Sequence, residues 1–105
     1  MPLPEQDDEA LRAALNKAAE ARKLRAEMKR RLKSGEIDLH EVLERAQHDK
    51  VVARTYVSDI LESMPKVGRV RARRLMERLD ISSSRRVRGL GVNQRKRLLD
   101  EFSDR

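Results

Sequence analysis

Hydrophobic positions along this chain recur with a helical period, and no stretch alternates with period two for long enough to predict a strand. From about Asp7 to Ser34 the residues are mostly Ala, Leu, Glu, Lys and Arg, and Gly35 follows as a stop. One long helix is predicted, preceded by a short extended arm at Pro2 and Pro4. Its apolar stripe does not keep to one line. Leu11, Leu15 and Ala18 share one face, whereas Leu24, Met28 and Leu32 lie on a face rotated well away from it at 100° per residue. Arg22, Arg25, Lys29 and Lys33 take over the sector to which Leu11 and Leu15 point, so a long heptad zipper would run into arginine. The second half of the helix is expected to pack on the domain and the first half to project.

Shorter helices follow. Asp38 with Glu41 three positions later forms a capping box ahead of Leu39, Val42 and Leu43, predicting a helix over about 39–47. A helical turn is expected over 49–54. Thr55 or Tyr56 opens a helix carrying Val57, Ile60, Leu61 and Met64 on one side, and Pro65 ends it. Lys66-Val67-Gly68 reads as a tight turn. The next helix, Arg69 to Leu79, buries Ala72, Leu75, Met76 and Leu79. Residues 81–90 are irregular, and Val92 to Phe102 is a last helix with Leu98, Leu99 and Phe102 inward. The predicted fold is all-α: an N-terminal arm and long basic helix over 1–35, then a small helical domain over 36–105.

Composition narrows the function. In 105 residues, 25 Lys and Arg face 18 Asp and Glu, a net charge of +7. The excess is one-ended: residues 65–105 carry 13 basic and 5 acidic groups, while residues 34–64 carry 3 and 7. A polyanion is the natural partner of such an end, and arginine forks suit phosphate oxygens. The absence of cysteine excludes thiolate catalysis, disulfides and Cys-based metal sites. No apolar run approaches a membrane span, and the acidic start does not resemble a signal peptide, which points to a soluble cytoplasmic protein. His40 and His48 among acidic neighbours read as exposed helix residues rather than metal ligands, and Ser82-Ser83-Ser84 lacks a histidine nearby in sequence. Neither a cofactor nor an active site is expected.

Two segments carry the candidate chemistry. In Pro65-Lys66-Val67-Gly68-Arg69-Val70-Arg71-Ala72-Arg73 a helix ends, a glycine turn follows, and a new helix begins with unpaired amide groups. Gly68 lets a phosphate approach the main chain, the amides and helix dipole bind it, and Lys66 and Arg69 add charge. Glycine after a helix is also an ordinary terminator; the arginines at 69, 71, 73 and 74 favour the binding role. The second segment is Arg85-Arg86-Val87-Arg88-Gly89, a dense positive loop expected to be mobile, with Val87 and Leu90 inward. Arg95, Lys96 and Arg97 are placed to extend the same phosphate path.

The first segment, the Ile81 exit and the closing helix resemble a helix–two-turns–helix module shared by a small-subunit ribosomal protein and formamidopyrimidine-type DNA glycosylases. The opening Met1-Pro2-Leu3-Pro4-Glu5 is superficially like the glycosylase terminus, but the β-sandwich and zinc finger those enzymes need are missing. With Leu3-Pro4, Ala18-Ala19-Glu20-Ala21-Arg22 and above all Ser84-Arg85-Arg86-Val87-Arg88-Gly89-Leu90-Gly91, nearly the whole chain is similar to the actinobacterial integration host factor family. Asp80 departs from that pattern before Ile81. The resemblance implies a non-enzymatic, nucleoid-associated binder of double-stranded DNA. It would bend and compact DNA with little sequence preference and assist phage integrase recombination. The contacts it implies are the turn and helix start from Pro65 to Arg73, and Arg85, Arg86, Arg88 and Gly89. A monomer is expected. The rivals are an RNA- or ribosome-associated binder, since the same module serves that role, and a protein-interaction module built on the acidic 34–64 segment.

Overall fold

The computed structural model describes residues 5–103, so the proline arm lies outside the described residues. Helix α1 spans Glu5–Ser34 and stops where Gly35 turns at φ +84°. Five shorter helices follow: α2 (Leu39–Arg45), α3 (Lys50–Ala53), α4 (Val57–Glu62), α5 (Gly68–Arg78) and α6 (Val92–Glu101), with a single 3-10 turn at Val87–Gly89. The described residues are all-α save one isolated antiparallel bridge, Tyr56 to Arg86.

Local chemistry sets the boundaries. Asp38 accepts from the Glu41 amide at 2.9 Å and so caps α2. Asp49 does the same for α3, accepting from Val51 and Val52 at 2.8 and 3.4 Å. Helix α2 ends at Arg45, two residues earlier than the sequence suggested, because the Asp49 cap starts a new helix almost at once. Helix α5 ends in a Schellman arrangement: the Ile81 amide reaches back to the Met76 carbonyl at 2.8 Å, and Asp80 to Glu77 at 3.1 Å. The geometry forces Asp80 to φ +58°, a left-handed conformation usually given to glycine.

The core draws on every element. Leu32 of α1, Val42 of α2, Ile60 and Leu61 of α4 and Leu98 of α6 are completely buried. Ala72, Leu75 and Met76 of α5 join them, as do Val52, Leu79, Ile81 and Val87. Burying side chains of this size is worth about 1.5–3 kcal/mol each. Helix α1 packs on α3 and α4 through its C-terminal turns alone, with Met28 and Leu32 as its only buried side chains among the described residues. Leu24, expected to join them, is 53% exposed: it falls one turn short of the domain, which the helix leaves after Met28. Leu99 and Phe102, expected inward, are half-buried against the margin of the core at the end of α6.

Candidate nucleic-acid interface

The connection from α4 to α5 winds through two turns. Met64 donates to the Leu61 carbonyl at 3.1 Å, and Val67 then donates to Met64 at 3.3 Å, closing the loop over Pro65 and Lys66. Lys66 and Gly68 both take positive φ, +65° and +66°, on either side of Val67 in a right-handed conformation. A helical residue followed by one at positive φ turns successive amides to the same side, a concavity suited to an anion. Gly68 is also the first residue of α5, one earlier than the sequence suggested, so its amide is among those left unpaired at the helix start. The Val67 side chain is buried and anchors the turn from beneath, which leaves only its main chain to a ligand.

Around this turn the cations differ in freedom. Arg69 stands 3.6 Å from the Glu62 carboxylate, and Arg71 donates weakly to the Lys66 carbonyl at 3.4 Å, curling over the loop. Arg73 and Arg74 make no ion pair among the described residues and are exposed, as is Lys66. Val70, 64% exposed, stands outward between them.

The arginine loop is held, not mobile as expected. Val57 donates to the Arg85 carbonyl and Val87 to the Thr55 carbonyl, both at 2.9 Å, stitching the loop to the start of α4. Arg86 lies over the Tyr56 ring, 4.6 Å from its centroid, and donates to the Arg54 carbonyl at 3.0 Å and the Tyr56 hydroxyl at 3.1 Å. Arg85 folds back to donate to the Gly89 carbonyl at 2.8 Å. A Cβ at residue 89 would meet Arg85 Cδ at 3.1 Å, so glycine there makes room for that fold. Arg88 alone of the three arginines is exposed rather than half-buried. Neither Arg54 nor Tyr56 stood out in the sequence. Their partner is some thirty residues away, and the only hint was that Tyr56 is one of two aromatic residues in the chain.

Ser82, Ser83 and Ser84 lie between the two segments. Ser83 lines a depression of about 450 Å³ together with Ser58, Glu62, Arg69 and Arg73. Ser82 and Ser84 line another of about 290 Å³ with Arg85, Arg86, Arg88 and Gly89. Arg95, expected to extend this surface, pairs with Glu44 of α2 at 2.9 Å and lines a depression of about 270 Å³ beside Arg88. Gln94 instead braces α6, accepting from the Gly91 amide and donating to the Asp80 carbonyl, each at 3.0 Å. No group of three or more His, Asp or Glu side chains suited to a metal occurs among the described residues.

Two arginine-bearing loops stitched around a helix–two-turns–helix core define a recognisable class of domain. The family model for the S13-like H2TH domain matches residues 32–102. The chain belongs to the integration host factor family. It is 51% identical over 102 residues to the integration host factor of Mycobacterium tuberculosis, covering 97% of each chain. To that of Streptomyces coelicolor it is 54% identical, covering 97% of this chain and 95% of the relative. A solved structure of sIHF bound to an 8bp palindromic DNA superposes with a TM-score of 0.82 at 55% identity, covering 84% of this chain and 99% of that one.

Proposed function

We propose that this protein is a non-enzymatic architectural protein of the nucleoid that grips duplex DNA by its backbone. The observation that carries the reading is the pair of arginine-bearing elements on either side of one serine segment: the Lys66–Gly68 turn at positive φ followed by Arg69 and Arg73, and the Arg85–Gly89 loop. A phosphate seated at the Val67–Gly68 concavity meets amides, the N-terminal end of the α5 dipole, Lys66 and Arg69. A second phosphate meets Arg88, with Arg85 and Arg86 held rigidly beside it. The contact set is therefore Pro65, Lys66, Val67, Gly68, Arg69, Val70, Arg71 and Arg73 with Arg85, Arg86, Arg88 and Gly89. Lys66, Arg73 and Arg88 supply the free charge, and Val67 contributes main chain only. Such contacts position a duplex without reading its sequence. The DNA held by the structural relative supports duplex DNA over RNA.

Two rigid grips on one small domain favour a bent duplex, whose deformation costs on the order of a few kcal/mol and is offset by the second grip. Compaction and support of phage integrase recombination follow from bending. Binding should be measured against salt for unrelated duplexes, single strands and structured RNA. The expected result is similar affinity for all duplexes and a steep logarithmic slope, roughly 0.9 per phosphate neutralised. Short-fragment circularisation should rise with added protein. Salt-independent affinity, or preference for RNA, would overturn the reading.

A further inference from the structure

Beyond Met28, α1 shows solvent a face that nothing in the domain covers. Leu11 and Leu15 are 55% and 59% exposed, and Asp8, Ala18 and Arg22 are exposed beside them. Together with Arg25 these residues alternate spacings of three and four, which places them on one seam of the coiled-coil type. Along the seam the chemistry changes from acidic through apolar to basic. A parallel partner would set Asp8 on Asp8, Arg22 on Arg22 and Arg25 on Arg25. An antiparallel partner sets Asp8 against Arg25, Leu11 against the aliphatic stem of Arg22, and Leu15 against Ala18, each twice by two-fold symmetry. Of the flanking residues, Ala14, Ala19, Ala21 and Ala26 are small and uncharged and Arg12 comes beside Ala19 of the other copy, so the backbones can approach and no like charges oppose. The surface complements itself in one direction only.

We propose that the projecting half of α1 is a self-association surface that joins two copies of this chain antiparallel. Two leucines a side fall far short of the roughly 20–30 residues a side of a stable interface, so the chain is monomeric when dilute. Pairing takes hold when copies are brought close, as effective concentration requires. In this register the Met28 residues of the two copies lie about 35 Å apart along the helices, from 1.5 Å of rise per residue. The two domains thus sit at opposite ends of the pair. That such a pair would bridge two duplex segments rests on the DNA-binding reading; the pairing itself does not.

The chain lacks cysteine, which makes disulfide trapping clean. Leu15→Cys and Ala18→Cys, made in separate full-length chains, are mixed without DNA at high concentration and oxidised. The mixed dimer should form several-fold faster than either chain links to itself, and several-fold faster than Glu20→Cys, on the opposite face, links to itself. Adding Asp8→Arg to both chains, or Arg25→Asp to both, should cut trapping several-fold. Asp8→Arg in one chain with Arg25→Asp in the other should restore it, because both cross-pairs are then again opposite in sign. Circular dichroism verifies that each variant keeps its helix. Equal trapping at residue 20, faster self-linking of Leu15→Cys, or indifference to the charge reversals would overturn the proposal.

Discussion

At the scale of single residues, the three arginines of the 85–88 loop separate into two jobs. Arg86 is tied to Arg54 and Tyr56 and stacked on the ring, whereas Arg88 touches nothing comparable. Arg86→Ala should therefore destabilise the fold by about 1–2 kcal/mol, through a lost charged hydrogen bond and a lost cation–π contact. Arg88→Ala should stay within about 0.5 kcal/mol of the parent and lower the salt slope of DNA binding by about 1. Urea denaturation of both variants beside a salt series checks the split; equal stabilities would show that the Tyr56 contact contributes nothing. The sequence made the loop visible, because three arginines in four positions stand out in any reading. It could not show which of them was engaged, since that depends on α3 and α4 bringing Arg54 and Tyr56 across thirty intervening residues. Asp80 was legible only as an odd residue before Ile81. Its positive φ now explains the oddity, and Asp80→Gly should stabilise the domain by about 0.5 kcal/mol through relieved backbone strain, measurable as a small rise in Tm.

At the scale of elements, helix ends were readable where a side chain caps them and less so where packing decides. Asp38 announced α2, and Pro65 announced the end of α4, because both act within a few residues. The start of α5 at Gly68 and the departure of α1 from the domain after Met28 depend on the neighbouring elements, which no local pattern encodes. Within α1, Glu27 accepts from Arg30 at 2.6 Å and Arg31 at 3.1 Å. The hydrogen-bonded Arg30 guanidinium, helped by Arg31 and opposed by partial desolvation, lowers the Glu27 pKa to about 2 from the usual 4.5. A lowered carboxyl pKa stabilises the folded helix above about pH 4.5, and that support is lost as pH falls toward 2. Carboxyl chemical shifts should thus place the Glu27 midpoint near 2, and Arg30→Ala should move it up toward the ordinary carboxylate value. A midpoint unmoved by Arg30→Ala would assign the shift to Arg31. On the proposed reading, the α4–α5 turn is the element on which DNA binding leans hardest. Gly68→Ala meets no steric obstacle but must hold φ +66° with a Cβ, at a cost of about 1 kcal/mol. It should weaken duplex binding more than Val70→Ala does, and the reverse order would move the phosphate away from the turn.

At the scale of the whole molecule, the chain divides into a part that folds by burial and a part that does not need it. The all-α class and the core of the small domain could be read from periodicity because Ile60, Leu61, Ala72, Leu75, Met76 and Leu98 recur at helical spacing and are all buried. Where α1 leaves that core could not be read, since Leu24 is as apolar as Met28 and sits one helical turn before it on the same stripe. Its exposure follows from where the domain ends. From Asp8 to Glu27 no side chain of α1 is buried, and among the described residues its ion pairs begin only at Glu27, so the turns before it are held by helix propensity. Isolated helical segments of this length are marginal in water, and the projecting half is stable only as an extension of turns already anchored by Met28 and Leu32. Deleting residues 1–22 should therefore remove helical signal in circular dichroism while leaving the domain's Tm within a few degrees of the parent, because no core contact is lost. Deleting residues 1–33 should instead lower stability by several kcal/mol, since Met28 and Leu32 leave cavities among α3 and α4. A large Tm loss from the shorter deletion would mean that the projecting turns are anchored to the domain after all.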